Sequence, residues 1–430
     1  MSELTRQITA GLPHMTGDGP GWAAALREAA AGQFSEHGLP TKRDEAWKYT
    51  SLRTLEQRGL RLSAGTVADA GGSNFPAPLP GTGCRARMLD GCLLGFDAGP
   101  PEGVTVLSLA DALAGGVAGL RPLLESIATE AAGSANGFSL LNTALLGAGL
   151  VVQVAENTDA GRLALSWMGG PHSDKQLMNS RVCLLLEKGA RLELVEQFES
   201  PIAANSNIVL QAQLGEGARL QHVRFQHEQE SAALITRTLV MQDSGSEYTH
   251  FGFDLGGGLV RHDLHATLAG EGATAAIAGA YLLDGSRHVD NHARVDHVAP
   301  GCTSEQFFRG VAGGSSRAVF NTAVKVHEGA DGTEARQSNA NILLSPLAEV
   351  DTKPELEIYA DEVVASHGAT VGQLDEQAVF YLRTRGLSDH DARQMLTTAF
   401  CRSVSDRLED SALADWISER MMAVMPKSAQ

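Results

Sequence analysis

The sequence predicts a mainly β fold, a β-solenoid core flanked by N-terminal and C-terminal α-helical regions. Three observations carry this reading. From about residue 150, short stretches rich in Val, Ile and Leu ("LVVQVAEN", "RLALSWMG", "RVCLLLEKGARLELVEQFES") alternate with period two, and long helical patterns disappear. Within that zone a unit recurs. "EKGARLELVEQF", "GEGARLQHVRFQ", "DSGSEYTHFGFD" and "GEGATAAIAGAY" centre on Gly189, Gly217, Gly245 and Gly272, at intervals of 28, 28 and 27 residues. Gly301 and Gly329 extend the series at 29 and 28. Finally, 47 glycines against 5% aromatics suit small, tightly turning repeats. One turn–strand–turn–strand unit cannot bury its own apolar face, so stacking one coil per repeat is the stable solution. A β-sandwich with recurring hairpins is the alternative.

Taken in order, residues 1–135 form an N-terminal helical region with an irregular linker. "GPGWAAALREAAAGQFSEHGLP" (19–40) places Trp22, Leu26, Ala29, Ala30 and Phe34 at helical spacing, and Gly38 and Pro40 end it. "RDEAWKYTSLRTL" (43–55) follows, then a Gly-, Pro- and Ser-rich stretch that reads as irregular or weakly stranded. "LADALAGGVAGLRPLLESIATEAA" (109–132) is helical again, weakened in the middle by Gly115 and Gly116. Residues 136–372 are the solenoid, and the polar run "ARQSNANILLS" (335–345) suits side-chain ladders between its coils. Residues 373–430 are helical. Asp375 caps "EQAVFYLRTR" and Gly386 ends it. Ser388 with Asp391 starts a second helix whose apolar stripe is Ala392, Met395, Leu396, Ala399, Phe400, Val404 and Leu408. A third segment carries Trp416, Ile417, Met421, Met422 and Val424. These helices hold too little core to stand alone, so they pack on the solenoid end, on a partner, or on both.

Composition excludes several functions. The formal net charge of −17, without a basic run, argues against nucleic acid, which needs clustered Lys and Arg. The first residues lack the apolar core of a secretory signal, and no run is long enough to span a membrane. Five scattered cysteines without a C-x-x-C pair point to a reducing cytoplasm. Lys never follows Gly, so there is no phosphate loop, and any nucleotide hydrolysis comes from another polypeptide.

Four stretches are candidate sites. "HVDNHARVDH" gathers His288, Asp290, His292, Asp296 and His297. On a strand, 288, 290, 292, 294 and 296 share a face, either as a first-row metal site or as a polar face of charge-assisted hydrogen bonds. Arg294 at its centre argues for the second. Cys302 is a reactive thiol, a soft metal ligand or a buried space-filler. "EAWKYT" (45–50) is a docking element or an anchor to the main body. His367, in "ADEVVASHGATVGQL" (360–374), sits among small residues where the stranded zone meets the helical one, with nothing nearby to complete a site.

The stretch "ADEVVASHGATVGQLDEQAVFYLRTRGLSDHDARQMLTTAF", extended upstream from "DNHARVDHVAPG", resembles the C-terminal signature of the SufB/SufD family of iron–sulfur cluster assembly proteins. "RDEAWKYTSLRTL" is similar to the family's R-x-E-x-W-K-Y-T element, and the "SHGAT" form resembles the SufD branch. The resemblance is clear over 286–402 and thin over 60–180. It implies a right-handed β-helix, pairing with a SufB-type subunit, and a SufC-type ABC ATPase bound to the last helices. That docking region falls on Asp375–Arg407, with Asp375, Phe380, Tyr381, Arg383, Arg385, Arg393 and Phe400 as its residues. His367 falls on the histidine that faces the SufB subunit, where it would be one ligand of a site shared between chains. The isolated chain then holds no stable cofactor, and an iron–sulfur cluster forms transiently at the interface. One departure stands out: many relatives place a cysteine where this chain has Ala365.

The expected role is a non-catalytic scaffold in a cytoplasmic SufBCD-type complex, with a homodimer open for the isolated chain. The rival is a carbohydrate-active enzyme on a β-helix, with Asp290, Asp296, Arg294 and Arg309 along one face. Low aromatic content and the missing export signal disfavour it, since sugar grooves need stacking platforms.

Overall fold

Each repeat glycine turns a corner in the left-handed region that side chains avoid, with φ +67° at Gly189, +65° at Gly217, +62° at Gly245, +69° at Gly272 and +68° at Gly301. These corners stack. The Gly217 N–H donates to Ser244 O at 2.9 Å, Gly245 to Glu271 O at 2.9 Å, and Gly301 to Asp331 O at 2.8 Å. In this computed structural model, which describes residues 2–12, 19–63, 75–131 and 137–426, the turns align strands into two ten-stranded sheets. Eight successive strand pairs make the coils of a β-solenoid, from Gly149–Val154 with Asp159–Met168 to Glu349–Ile358 with Val363–Gly372. All pairings among them are parallel, and the register is unbroken except for a shift between Asp159 and Arg162.

The series departs from expectation at its end. Gly332, not Gly329, continues the stack, donating to Glu362 O at 2.8 Å. Thr303 pairs with Glu334, a 31-residue step, because "HEGADG" carries extra residues around the corner.

The N-terminal region also feeds the sheets. Cys84–Leu89 pairs parallel with Asp159–Met168, Cys92–Phe96 folds back antiparallel on it, and Val104–Ser108 pairs antiparallel with Gly149–Val154. The weakly stranded stretch is thus part of the solenoid's first end, apart from 64–74, which lies outside the described residues. Gly21–His37 forms the expected helix and stops at Gly38, while Gly116 in the left-handed region splits 109–131 into Leu109–Gly115 and Leu120–Ala131. A further helix, Glu3–Gly11, is capped by Ser2.

The helices cover the outer faces of the sheets. Phe34, Trp47, Phe138 and Leu141 pack on Leu177, Ile235 and Leu259 of the first sheet. On the second, Cys401, Val404, Leu413, Ile417 and Met421 pack on Val223, Phe225, Phe251 and Phe253. The C-terminal helices Asp389–Ser405 and Ser411–Ala423 therefore lie on a sheet face rather than on the solenoid end. Their buried stripe differs too: Ala392, Thr397, Cys401 and Val404 face inward, while Met395 is exposed. Among the described residues no strand pairs with the outer edges of the last coil.

Candidate functional site

Strand parity decides which side chains enter the solenoid. In the second sheet, Leu194, His222, His250, Ile277, Gln306, Gln337 and His367 are register partners, one per coil. Leu194 and Ile277 belong to the interior core, so this row faces the lumen. His367 is its last member, on the edge strand Val363–Gly372, and it is exposed. Its ring makes no hydrogen bond or ion pair to any described residue. Gln337, beneath it, donates to Thr322 Oγ1 at 3.1 Å, and Asn341 donates to Thr370 O at 3.1 Å. From the polar run 335–345, Gln337, Asn339 and Asn341 therefore line the mouth of the lumen. Ala365 follows Ala335 in the neighbouring row and packs against the interior core.

Helix Glu376–Thr384 follows directly, with Asp375 accepting from Gln377 N at 2.8 Å. Phe380 and Tyr381 project from it, 67% and 57% exposed. Arg385 lies 5.2 Å from the Tyr381 ring, and Arg383 is exposed beside them. The other two anticipated docking residues are engaged within the chain. Arg393 joins Glu376 and Asp389 at 2.9 and 2.8 Å, and Phe400 packs against the core under the last helices.

The row His288, Asp290, His292, Arg294 and Asp296 lies on the outer face of the first sheet, as its parity requires. It is occupied by charge-assisted contacts. Thr50 Oγ1 donates to Asp290 Oδ2 at 2.5 Å and accepts from His288 Nε2 at 2.8 Å. Arg261 bonds Asp290, reaches Ala46 O at 2.7 Å and Asp263 at 2.8 Å, and stacks 4.0 Å from the Trp47 ring centroid. His292 Nε2 is 2.9 Å from Asp290 Oδ1, and Arg294 donates to Asp296 at 2.8 Å. Burial alone would raise the Asp290 carboxyl, but Arg261 and His292 override it and hold the group below the usual carboxylate range. Burial pushes the His288 imidazole down to about 4.

His297 does not join them. It faces the lumen with Nε2 2.8 Å from Ser304 Oγ, and burial lowers it to about 4. Among the described residues no group of three or more His, Cys, Asp or Glu is arranged to hold a metal ion. The strand face clamps "EAWKYT" to the sheet instead. Beside it a cleft of about 480 Å³, lined by Asp44, Arg261, Asp263, His292, Arg294 and Glu355, sets acids against arginines.

Cys302 is buried in the interior core with Sγ 3.3 Å from Gly270 O, and burial raises its pKa. Burial likewise pushes Cys183 and Cys401 up to about 12 and Cys92 to about 11, so none of these thiols is set up as a reactive thiolate.

Sequence reading missed a second polar group deep in the lumen. Glu196 Oε2 meets His222 Nε2 at 2.9 Å, and Asp254 receives His262 at 2.9 Å and Asn291 at 3.1 Å, with Arg224 3.5 Å away. Parity in "RLQHVRFQ" carried the signal, since His222 and Arg224 alternate with Val223 and Phe225.

Residues 170–400 match the family model "SUF system FeS cluster assembly, SufBD core domain". An iron–sulfur cluster assembly SufBD family protein of Synechocystis is 30% identical, over 90% of this chain and 88% of the relative. The iron–sulfur cluster assembly protein SufD of Escherichia coli is 29% identical, over 93% and 92%. The chloroplastic protein ABCI7 of Arabidopsis thaliana is 26% identical, over 91% and 83%. No helix among the described residues is long and apolar enough to cross a membrane. With a two-sheet solenoid whose lumen opens at His367 and a family match over more than half its length, the chain belongs to the SufBD family of iron–sulfur cluster assembly proteins, and is of SufD type.

Proposed function

We propose that this chain is a non-catalytic scaffold subunit of a cytoplasmic SufBCD-type complex. It pairs with a SufB-type subunit through the open end of the solenoid and docks a SufC-type ATPase through the helices that follow. The observation that carries this is the uncovered last coil, where His367 ends a lumen-facing row at an exposed edge. An edge strand presents unpaired backbone groups and is a template for another chain. A neutral imidazole there supplies one ligand, and a partner supplies the rest of a transient cluster site. Ala365 places no thiol beside it, so His367 is this chain's contribution. Nucleotide-driven movement of the ATPase would pull on helix Glu376–Thr384, which joins directly to the His367 strand, and so shift the shared edge.

The docking half is tested on the full chain, because removing the last helices would strip the apolar cover from Phe225 and Phe253. Phe380→Ala with Tyr381→Ala removes exposed aromatics of the kind that dominate interfaces. The expected result is loss of the ATPase on co-purification with the SufB-type partner retained. Full retention of the ATPase would contradict this placement.

A further inference from the structure

The coils are not equally charged. The terminal coil, 347–373, carries six acids against Lys353 alone, a formal −5, whereas 317–343 balances three of each sign and 288–312 sums to −1. Among the described residues, the coil with both strands at a sheet edge is the acidic one. Resting on the reading that the open end is the partner face, we propose that this coil selects its partner by charge: the occupant is a coil edge whose outward row carries Lys and Arg.

The register of the first sheet supports this. Two outward-facing columns set opposite signs side by side, with Asp296 beside Lys325 and Lys325 beside Glu357, and Arg317 beside Glu349. The end pairs lie at 3.9 Å for Lys325–Glu357 and 3.2 Å for Arg317–Glu349. Both columns stop on an acid, so a strand added next continues them with a cation, because opposite charges directly across a pair stabilise it and like charges oppose it. Glu355 adds to this row, and Asp361 and Glu362 extend the acidic surface round the corner. Lys353, held between Glu355 at 2.7 Å and Glu45 at 2.9 Å, offsets Glu355 in part and no other acid of this coil. Pro354 removes one backbone donor from the same strand, which shifts recognition there from the backbone ladder to side chains. The other edge, Val363–Gly372, has no acid and no proline. The two edges thus divide the work: the first sheet chooses the partner and the second presents His367. A second copy of this chain would bring acids against acids, so the same row disfavours self-pairing.

The test is the full chain with Glu349→Gln, Glu355→Gln and Glu357→Gln together. Glu349 and Glu357 are exposed and Glu355 is half-buried at the surface, and such ion pairs contribute little to folding, which a thermal melt checks. Affinity for the SufB-type partner is measured at about 0.05 and about 0.5 M salt, where screening lengths differ about threefold. Self-association is followed by sedimentation. The expected results are about tenfold weaker partner binding at low salt, a flattened salt dependence, and stronger self-association than the unsubstituted chain. If the unsubstituted chain binds the partner and the variant matches it at both salts, charge selection is overturned while the partner face stands. If the unsubstituted chain binds no such partner, the functional reading fails. Sedimentation then decides the charge claim, and unchanged self-association overturns it.

Discussion

Thr50 and Asp290 stand 240 residues apart in the chain, and the Thr50 hydroxyl donates to the Asp290 carboxylate at 2.5 Å. This bond ties the end of "EAWKYT" to the outer face of the first sheet, with Arg261 gripping the same carboxylate from the other side. Thr50→Val keeps the shape and removes the hydroxyl, leaving Asp290 and His288 each short of a partner in a buried setting. The expected cost is about 1–3 kcal/mol, read from denaturant unfolding. A change within error would mean that Arg261 and Trp47 hold the segment without it.

A corner of the solenoid provides a second check. Gly245 sits at φ +62° and lies in open space for a Cβ, so Gly245→Ala tests backbone strain alone. The expected loss is about 1–2 kcal/mol. A stabilised Gly245→Ala would contradict the left-handed corner.

Below pH 6.5 acidification destabilises the fold through the histidines. His288 and His297 are held neutral down to about 4 in the fold, while an unfolded imidazole protonates near 6.5. Between those values the unfolded chain binds more protons, so stability falls as pH falls from about 6.5 to about 4. Burial lowers His250 and His262 as well, in the same sense. Glu228 works the other way: burial raises it to about 8, so it favours the folded state more as pH drops through that value. Asp290 and Asp254 lose their contribution only below the ordinary carboxylate range. The net expectation is a midpoint that declines through pH 6.5–4, with His288→Gln flattening part of the slope.

Much of the architecture was legible because the repeat is a length and parity signal. Glycines at fixed intervals and alternating apolar residues specify coils without any long-range information, and caps such as Asp375 and Ser388 mark helix starts locally. Two things were not legible. Where the last helices pack depends on Val223 and Phe225 being apolar on the outside of a strand, which reads from sequence as ordinary core. The fate of the 288–297 stretch depends on partners 7 to 240 residues away: Thr50, Arg261 and Ser304 divide among them side chains that look like one cluster on paper. The solitary setting of His367 was legible, since nothing in its own neighbourhood competes for the ring. That it ends a lumen-facing row needed the register.

The most direct measurement is iron–sulfur cluster formation by the purified three-subunit complex carrying His367→Ala, alongside the unsubstituted complex. The side chain is exposed and unbonded, so the substitution should shift chain stability by no more than about 0.5 kcal/mol and leave subunit stoichiometry intact. The account predicts assembly of the complex with cluster yield cut at least about tenfold, as expected when a ligand of a shared site is lost. A fully assembled complex forming clusters at the unsubstituted yield would contradict it.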